Sequence, residues 1–187
     1  MISIKNKYVM IGGFAFSEES DMEKLRNYAK KGWILERVVG GFFYKLRKDE
    51  PQDIIYSLDY QKDVNEEYFH MFKEAGWNIV ISLGNEMHIF SAQYGTKPIY
   101  SDFKSNLGKY ISMQNTVGKS AVYSLIVGII LIVLSFFINN IFLTGLLLID
   151  FIVFIFSFMP YVAYSYRIKK MKKYNKNKKE FIIHKIT

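Results

Sequence analysis

One carboxylate stands inside an otherwise apolar stretch of this chain. Asp150 lies in the second of two hydrophobic runs that together cover residues 118–166. A charged side chain at the centre of a membrane-spanning helix costs roughly 2.5–3.5 kcal/mol on insertion scales, so an acidic residue in such a run is a functional candidate by default. Asp150 is therefore the candidate intramembrane functional residue.

Acidic residues in the N-terminal half offer a second possible chemistry. Asp59 and Asp63 follow one predicted strand, and Asp49, Glu50 and Asp53 cluster between two copies of a repeat. Paired carboxylates can act as general acid and base when they share a cleft and have separated pKa values. The sequence indicates neither condition, and acidic loops are usually solvated. We therefore predict no catalytic residue and no enzymatic activity.

The sequence offers little support for metal or cofactor chemistry. Cysteine is absent, which excludes disulfides, thiolate metal sites and a cysteine nucleophile. The three histidines, His70, His88 and His184, are scattered and have no metal-binding spacing. The Gly-Lys-Ser at residues 118–120 lacks the upstream glycine of a phosphate-binding loop. We predict no metal ion and no cofactor.

The first apolar run is long enough to cross a membrane. Residues 121–138 are 18 residues without a charge. The flanking residues bring the run close to the roughly 20 that a helix needs to cross the hydrocarbon layer. A buried helix of a soluble protein would show a polar face, which this run lacks. We predict a first transmembrane helix over residues 118–138.

The second apolar run predicts a second transmembrane helix over residues 141–166. Two antiparallel spans joined by a tight turn at Asn139 and Asn140 would satisfy every backbone group within its own helix. The start of the second helix stays open, because it begins either directly after the asparagine pair or only at Gly145.

The depth of Asp150 depends on that start. A start near Gly145 places Asp150 in the outer leaflet, where it reaches water, whereas a start at Ile141 places it near mid-membrane, where it needs a partner. Tyr123 and Ser124 are the candidate partners, but both stand near the inner end of the first helix. An outer, partly hydrated Asp150 is therefore expected.

The distribution of charge predicts the orientation of the hairpin. Residues 167–187, the basic tail, hold nine of the 25 basic residues and one of the 17 acidic residues. By the positive-inside rule both termini are cytoplasmic. The rest of the chain is balanced, so we predict no nucleic-acid partner. The tail either contacts anionic lipid headgroups or serves only as a topology signal. Its candidate lipid-binding residues are Arg167, Lys169, Lys170, Lys172 and Lys173.

The N-terminal half repeats itself with a shift of 44 residues, which places Gly32-Trp33 on Gly76-Trp77. Each copy predicts a strand, a helix that ends at Gly-Trp, and a hairpin. The predicted elements are strand 8–16, helix 20–31 and strands 34–39 and 42–48, followed by strand 53–61, helix 65–75 and strands 78–83 and 87–93.

Local chemistry underlies these boundaries. Ser20 with Glu23 matches a capping box, and Asn65 is a favoured residue at a helix N-terminus. Gly40-Gly41 and Gly84-Asn85 suit the positive φ angles that two-residue hairpin turns require.

Two βαββ units predict an α+β domain over residues 1–95, a ferredoxin-like variant with an antiparallel or mixed sheet and two helices on one face. Residues 96–117 would connect this domain to the transmembrane hairpin. The sheet face opposite the helices would expose aromatic residues, and a protein partner or a second copy of the chain would cover it. The candidate recognition residues are Trp33, Phe42, Tyr44, Trp77, His88 and Phe90.

Several of these features occur together in a known family. The Gly-Trp after each helix, the aromatic hairpins, the Ile54–Asp59 strand and the Tyr100-Ser101-Asp102 segment resemble the bacterial family catalogued as domain of unknown function 2812. The resemblance covers roughly residues 7–103. It implies a similar domain in the plasma membrane of a bacterial cell, often followed by a transmembrane hairpin, and a neighbourhood of PadR-type regulators. The family supplies no established activity.

We therefore expect a membrane-anchored cytoplasmic binding or regulatory module without catalytic activity, acting as an accessory protein in envelope stress, transport or antimicrobial-peptide defence. The alternative is a small oligomeric transporter, channel or membrane enzyme that uses Asp150.

Overall fold

The computed structural model describes residues 6–84, 86–138 and 140–186, without the side chains of residues 179 and 182–186. The chain divides into two compact units between Lys109 and Tyr110. The elements in chain order are β1 (Asn6–Met10), α1 (Phe14–Ala29), β2 (Trp33–Val39), β3 (Phe43–Lys48), β4 (Ile54–Asp59), α2 (Glu66–Glu74), β5 (Asn78–Leu83), β6 (Met87–Gln93), α3 (Phe103–Phe137) and α4 (Ile141–Ile186).

The strands of the first unit form two antiparallel sheets, in the orders β1-β3-β2 and β4-β6-β5. In each sheet the last strand of the hairpin lies in the centre and pairs antiparallel with both neighbours. The outer strands therefore run parallel to each other, which is a split β-α-β arrangement. The α+β class is confirmed, and the structure divides the expected sheet into two sheets of three strands.

The first sheet buries only one of its faces. Val9, Leu35, Tyr44 and Leu46 point into the core and are 9% exposed or less. Helix α1, which contributes buried Leu25, lies against β2 and β4. The alternate residues of the same strands point away from this core, as the pleat of a sheet requires.

The second sheet has apolar residues buried on both faces. Trp77, Phe90 and Ala92 form a cluster under α2, against which Phe69 and Phe72 pack. The residues that alternate with this cluster are buried as well, because α1 contacts β4 from the other side. They are Ile54, Tyr56, Leu58 and Ile89.

Helix α1 begins six residues earlier than predicted. It starts at Phe14, so Ser20 lies inside the helix and the predicted capping box of Ser20 with Glu23 is wrong. The predicted strand 8–16 correspondingly ends at Met10.

A contact within the folded first unit explains the early start. The Asp21 carboxylate accepts a hydrogen bond of 2.8 Å from the backbone N–H of Gly12 and so holds the start of α1 next to its own second turn. Gly13 has a φ of 94°, a conformation that glycine adopts at little cost, and it occupies the N-cap position. Ser17, with a non-helical φ of −132°, marks a kink one turn later.

Helix α2 and the hairpins follow their local sequence signals. The Asn65 side chain accepts a hydrogen bond from the Tyr68 N–H at 3.0 Å, which confirms the predicted cap. Gly40 and Gly41 have positive φ angles of 59° and 75°, as the first predicted turn requires. In the second predicted turn Gly84 also has a positive φ, whereas Asn85 lies outside the described residues.

Helices α3 and α4 are both long and apolar enough to cross a membrane. Helix α3 starts where the Asp102 carboxylate accepts a hydrogen bond from the Ser105 N–H at 2.9 Å. Helix α4 starts at Ile141, where the Asn140 side chain accepts from the Phe142 N–H at 2.9 Å. This is the earlier of the two starts considered above. Of the predicted asparagine turn, Asn139 lies outside the described residues.

Candidate functional site

The structure buries four of the six residues predicted to form a recognition surface. Tyr44 and Phe90 are 0% exposed, and Trp77 and His88 are 3% and 1% exposed. The predicted surface is therefore wrong for these four residues. Their strands do alternate as expected, but the sequence pattern does not say which of the two faces is covered, and a shift of one residue exchanges them.

Trp77 and His88 are tied into the interior by hydrogen bonds. The Trp77 indole N–H donates to the Lys97 carbonyl at 2.9 Å. The two ring nitrogens of His88 pair with the Ser82 hydroxyl at 2.9 Å and with the Gln61 carbonyl at 3.1 Å. Buried polar groups are normally satisfied in this way, so both side chains stabilise the second sheet.

The exposed aromatic surface belongs to the first sheet. Met10 pairs with Phe43 across β1 and β3, and both point away from the core, together with Tyr8. Phe42, one of the six predicted recognition residues, lies at the end of the adjoining turn and is 55% exposed. We call Tyr8, Met10, Phe42 and Phe43 the open face. Trp33, the sixth predicted residue, is half-buried.

The buried carboxylate of Asp59 accepts hydrogen bonds from three tyrosine residues. Asp59, at the end of β4, accepts from the hydroxyl of Tyr68 on α2 and from the hydroxyl of Tyr100, which follows β6. The backbone N–H of Tyr60 donates to the same carboxylate at 2.6 Å. Burial, with Asp59 as the further cause, raises the pKa of Tyr68 and Tyr100 well above the usual range, so both hydroxyls stay protonated donors.

A buried ion pair lies beside this carboxylate. The Lys109 ammonium, on α3, pairs with the carboxylate of Glu18, on α1, and both side chains are less than a tenth exposed. The same ammonium donates to the Leu58 carbonyl and lies 5.3 Å and 5.2 Å from the ring centroids of Tyr60 and Tyr100. An unpaired buried ammonium would be costly, so these contacts stabilise one position of Lys109.

The two groups of contacts hold one segment of chain against the domain. Lys97, Tyr100 and Lys109 all lie after the last strand, and each bonds to a residue of the second sheet or to its neighbours. We call Glu18, Asp59, Tyr68, Tyr100 and Lys109 the polar latch. Its two carboxylates are buried and take part in these contacts, so they stabilise the position of this segment.

Asp150 has a partner in the neighbouring helix. The Ser124 hydroxyl lies 2.9 Å from one carboxylate oxygen of Asp150 and 3.1 Å from its backbone carbonyl. The expectation that Ser124 is poorly placed is therefore wrong. Counting residues from the turn puts Ser124 about one helical turn deeper than Asp150. Packing between the helices, which residue counting does not describe, sets the actual offset.

Small residues of α3 make room for this contact. A methyl group added to Gly128 would lie 2.7 Å from the second carboxylate oxygen of Asp150, closer than atoms can pack. Ala121 and Ser124 are buried on the same face of α3, and a methyl group on Gly118 would lie 3.1 Å from the Tyr161 ring. Small side chains of this kind let helix backbones approach closely.

The candidate lipid-binding residues lie on the C-terminal part of α4. Arg167 is half-buried, with its guanidinium 4.5 Å from the centroid of the Tyr110 ring. Lys169, Lys170, Lys172 and Lys173 are exposed. Contact of these lysines with lipid stays a prediction. Among the described residues no group of three or more His, Cys, Asp or Glu could hold a metal ion.

The polar latch is the feature that sequence reasoning missed. Its ion pair joins residues 91 positions apart, and no local pattern links Glu18 with Lys109. The sequence contains two weaker signals: Asp59 is an acidic residue at the end of a predicted strand, and Tyr100 belongs to the segment that carries the family resemblance.

Comparison with known proteins places the chain in a family. No curated protein and no solved structure matches it. A family model described as "Protein of unknown function (DUF2812)" matches residues 17–122, which include most of α1, both hairpins, the whole polar latch and the first half of α3. Since the match covers more than half of the chain, this protein belongs to the DUF2812 family.

Proposed function

We propose that this protein is a membrane-anchored binding module that acts without catalysis and recognises a protein partner through its open face. The observation that carries the proposal is the exposure of Met10, Tyr8 and Phe43, which are 68%, 56% and 43% exposed on one side of the first sheet. Aromatic residues and methionine are enriched at protein interfaces. Contiguous exposed apolar surface of this kind marks interaction sites.

The charged groups of the domain support a binding role over an enzymatic one. The buried acids Glu18 and Asp59 are paired with Lys109 and with tyrosine hydroxyls. At the surface, Arg26 binds Asp53 at 2.8 Å and holds the pKa of that carboxyl below its usual range. Pairs of this kind neutralise acids that a general acid or base mechanism would need to expose.

The two long apolar helices support anchoring in the membrane. The positive-inside rule then puts the domain and the basic tail in the cytoplasm. Lys109 belongs to the same continuous helix as the first apolar run, and its ion pair with Glu18 lies within the first unit. We infer that the domain binds its partner at the membrane surface, or that partner binding by the domain is signalled to the membrane. The roles in envelope stress, transport or antimicrobial-peptide defence, beside PadR-type regulators, belong to this proposal.

Site-specific photo-crosslinking in cells tests the open face. A photoreactive amino acid replaces Met10 in the full chain, and the control places it at Met71, a methionine on α2 that is 56% exposed. We expect one recurrent crosslinked protein from position 10 only, and its loss in the Phe43→Glu variant. A product of twice the chain mass would identify the partner as a second copy. Equal crosslinking from positions 10 and 71 would overturn the proposal.

A transporter, channel or membrane enzyme that uses Asp150 is the second candidate function. The observation in its favour is that the Asp150 carboxylate is only half-buried, with one hydrogen bond from Ser124. Ion flux into vesicles that contain the purified full chain tests this candidate. Flux that disappears in Asp150→Asn supports it, whereas equal leakage with and without the protein excludes it for the ions tested.

A further inference from the structure

We propose that a groove between α3 and α4 binds one anionic phospholipid. The groove has a volume of about 610 Å³, within the range of roughly 300–1,000 Å³ that is typical of ligand sites. It lies wholly in the second unit and is distinct from the lysines of the basic tail. Its lining divides into polar residues, Gln114, Asn115 and Lys119, and apolar residues, which include Val122, Leu125, Phe154 and Phe158.

The polarity of the groove changes along its length in the same sense on both helices. On α3 the lining runs from Gln114 and Lys119 to Leu125, and on the antiparallel α4 it runs from Tyr161 to Phe154. One end therefore offers an ammonium and amide groups, and the other offers mainly hydrocarbon and aromatic rings. This order fits an amphiphile with one polar head and an apolar tail.

Aromatic packing gives the groove a defined wall. The rings of Phe154 and Phe158 stack with their centroids 5.3 Å apart, and Phe158 stacks on Tyr161 at 6.5 Å. Gly118 lets the Tyr161 ring lie against α3, since a methyl group at that position would stand 3.1 Å from the ring. Larger residues at position 118 would displace this wall and change the groove.

The positive charge of Lys119 favours a ligand with an anionic headgroup. Lys119 is exposed at the polar end, and the lining contains no acidic residue to neutralise it. An ammonium next to a membrane surface attracts anionic headgroups, at about 1 kcal/mol per basic residue. A phosphate headgroup with net negative charge, such as phosphatidylglycerol, therefore fits the groove better than zwitterionic phosphatidylcholine.

Native mass spectrometry of the delipidated full chain tests the proposal. Phosphatidylglycerol and phosphatidylcholine with identical acyl chains are titrated separately, and the first protein–lipid adduct is counted. We expect the anionic lipid to bind more tightly. Lys119→Gln should weaken it about fivefold. The control Lys104→Gln removes the same charge from an exposed position outside the groove and should leave binding unchanged.

A groove-filling variant separates this site from the basic tail. Val122→Trp should abolish the first adduct, whereas Val133→Trp, at a position of similar exposure outside the groove, should not. If Val122→Trp does not fold, Leu125→Trp reaches the same groove. Equal affinity for the two lipids, or equal effects of Lys119→Gln and Lys104→Gln, would overturn the proposal.

Lipid binding in the groove depends on the membrane anchoring proposed above. Different experimental results would contradict the two proposals. A chain that leaves the membrane fraction on alkaline extraction would overturn both. A chain that stays in the membrane but shows no lipid preference would overturn the groove alone.

Discussion

The two units of this protein bury carboxylates in opposite ways. In the first unit Glu18 and Asp59 are 5% and 4% exposed. One oxygen of Glu18 pairs with Lys109, and Asp59 accepts from two tyrosine hydroxyls and a backbone N–H. In the second unit Asp150 is half-buried and accepts from the Ser124 hydroxyl, in a space left by Gly128. The polar latch brings distant elements together, whereas the Asp150 contact joins two helices that already lie side by side.

This difference has an energetic meaning. A buried ion pair is strongly destabilising when one partner is lost, because the remaining charge stays buried without compensation. A single hydrogen bond between helices in a membrane is worth much less, because the unfolded state in the membrane also finds partners for the same groups. We therefore expect changes in the polar latch to matter more for stability than changes around Asp150.

The largest effect is expected from Lys109→Met. It leaves the Glu18 carboxylate buried without its cation, and the free energy of unfolding of the first unit should fall by about 3–5 kcal/mol. Both tryptophans, Trp33 and Trp77, lie in that unit, so tryptophan fluorescence during urea unfolding of the full chain in detergent reports its stability. Lys104→Met, at an exposed position, is the control.

A double variant sharpens this first prediction. Glu18→Leu combined with Lys109→Met removes both charges, so it should recover part of the lost stability. An unchanged urea midpoint in Lys109→Met alone would mean that the ion pair is not a determinant of stability.

A smaller loss, about 2 kcal/mol, is expected from Asp59→Asn. The amide keeps the shape of the side chain but loses the charge that strengthens the hydrogen bonds from Tyr68 and Tyr100. Asp63→Asn is a matched control, because Asp63 is exposed and asparagine tolerates its φ of 49°. Equal urea midpoints for the two variants would contradict the prediction.

We expect Tyr68 and Tyr100 to make the stability of the first unit depend on pH. Their pKa values are raised in the folded state above the ordinary 10.0, so their contribution is fully present below pH 10 and is lost as the pH rises further. Above pH 10, each tyrosine should lower the free energy of unfolding by about 1.4 kcal/mol per pH unit.

Urea unfolding at a series of pH values, with tyrosinate absorbance as a second signal, measures this loss. Tyr100→Phe should make the decline less steep. A stability curve that stays flat from pH 10 to pH 11 would rule out the proposed protection of the hydroxyls.

The smallest effect is expected from Ser124→Ala. It removes the hydrogen bond to Asp150, and polar contacts between membrane helices contribute about 0.6 kcal/mol on average. Thermal unfolding of the helices in detergent, followed by circular dichroism, measures the loss of stability. The control is Ser135→Ala, because the Ser135 hydroxyl donates to the Ile132 carbonyl within α3. A loss as large as that of Lys109→Met would show that the comparison between the two units is wrong.

Local chemistry in the sequence was enough for some elements and not for others. Strands β5 and β6 have the predicted bounds, and α2 has its predicted asparagine cap, because these signals involve residues close together in the chain. The start of α1 was misplaced, since the bond between Asp21 and the Gly12 backbone forms only in the folded domain and outweighs the capping signal at Ser20.

By itself the sequence determined the α+β class, the family and the two membrane-compatible helices. These properties follow from hydrophobic length, from the periods of helices and strands and from glycine and asparagine at turns, all of which act over a few residues. Only the tertiary structure decided that Tyr44 faces the core while Phe43 faces out, that Lys109 meets Glu18 and that Ser124 meets Asp150. Each of these depends on how separate elements pack against one another, and packing has no periodic signal along the chain.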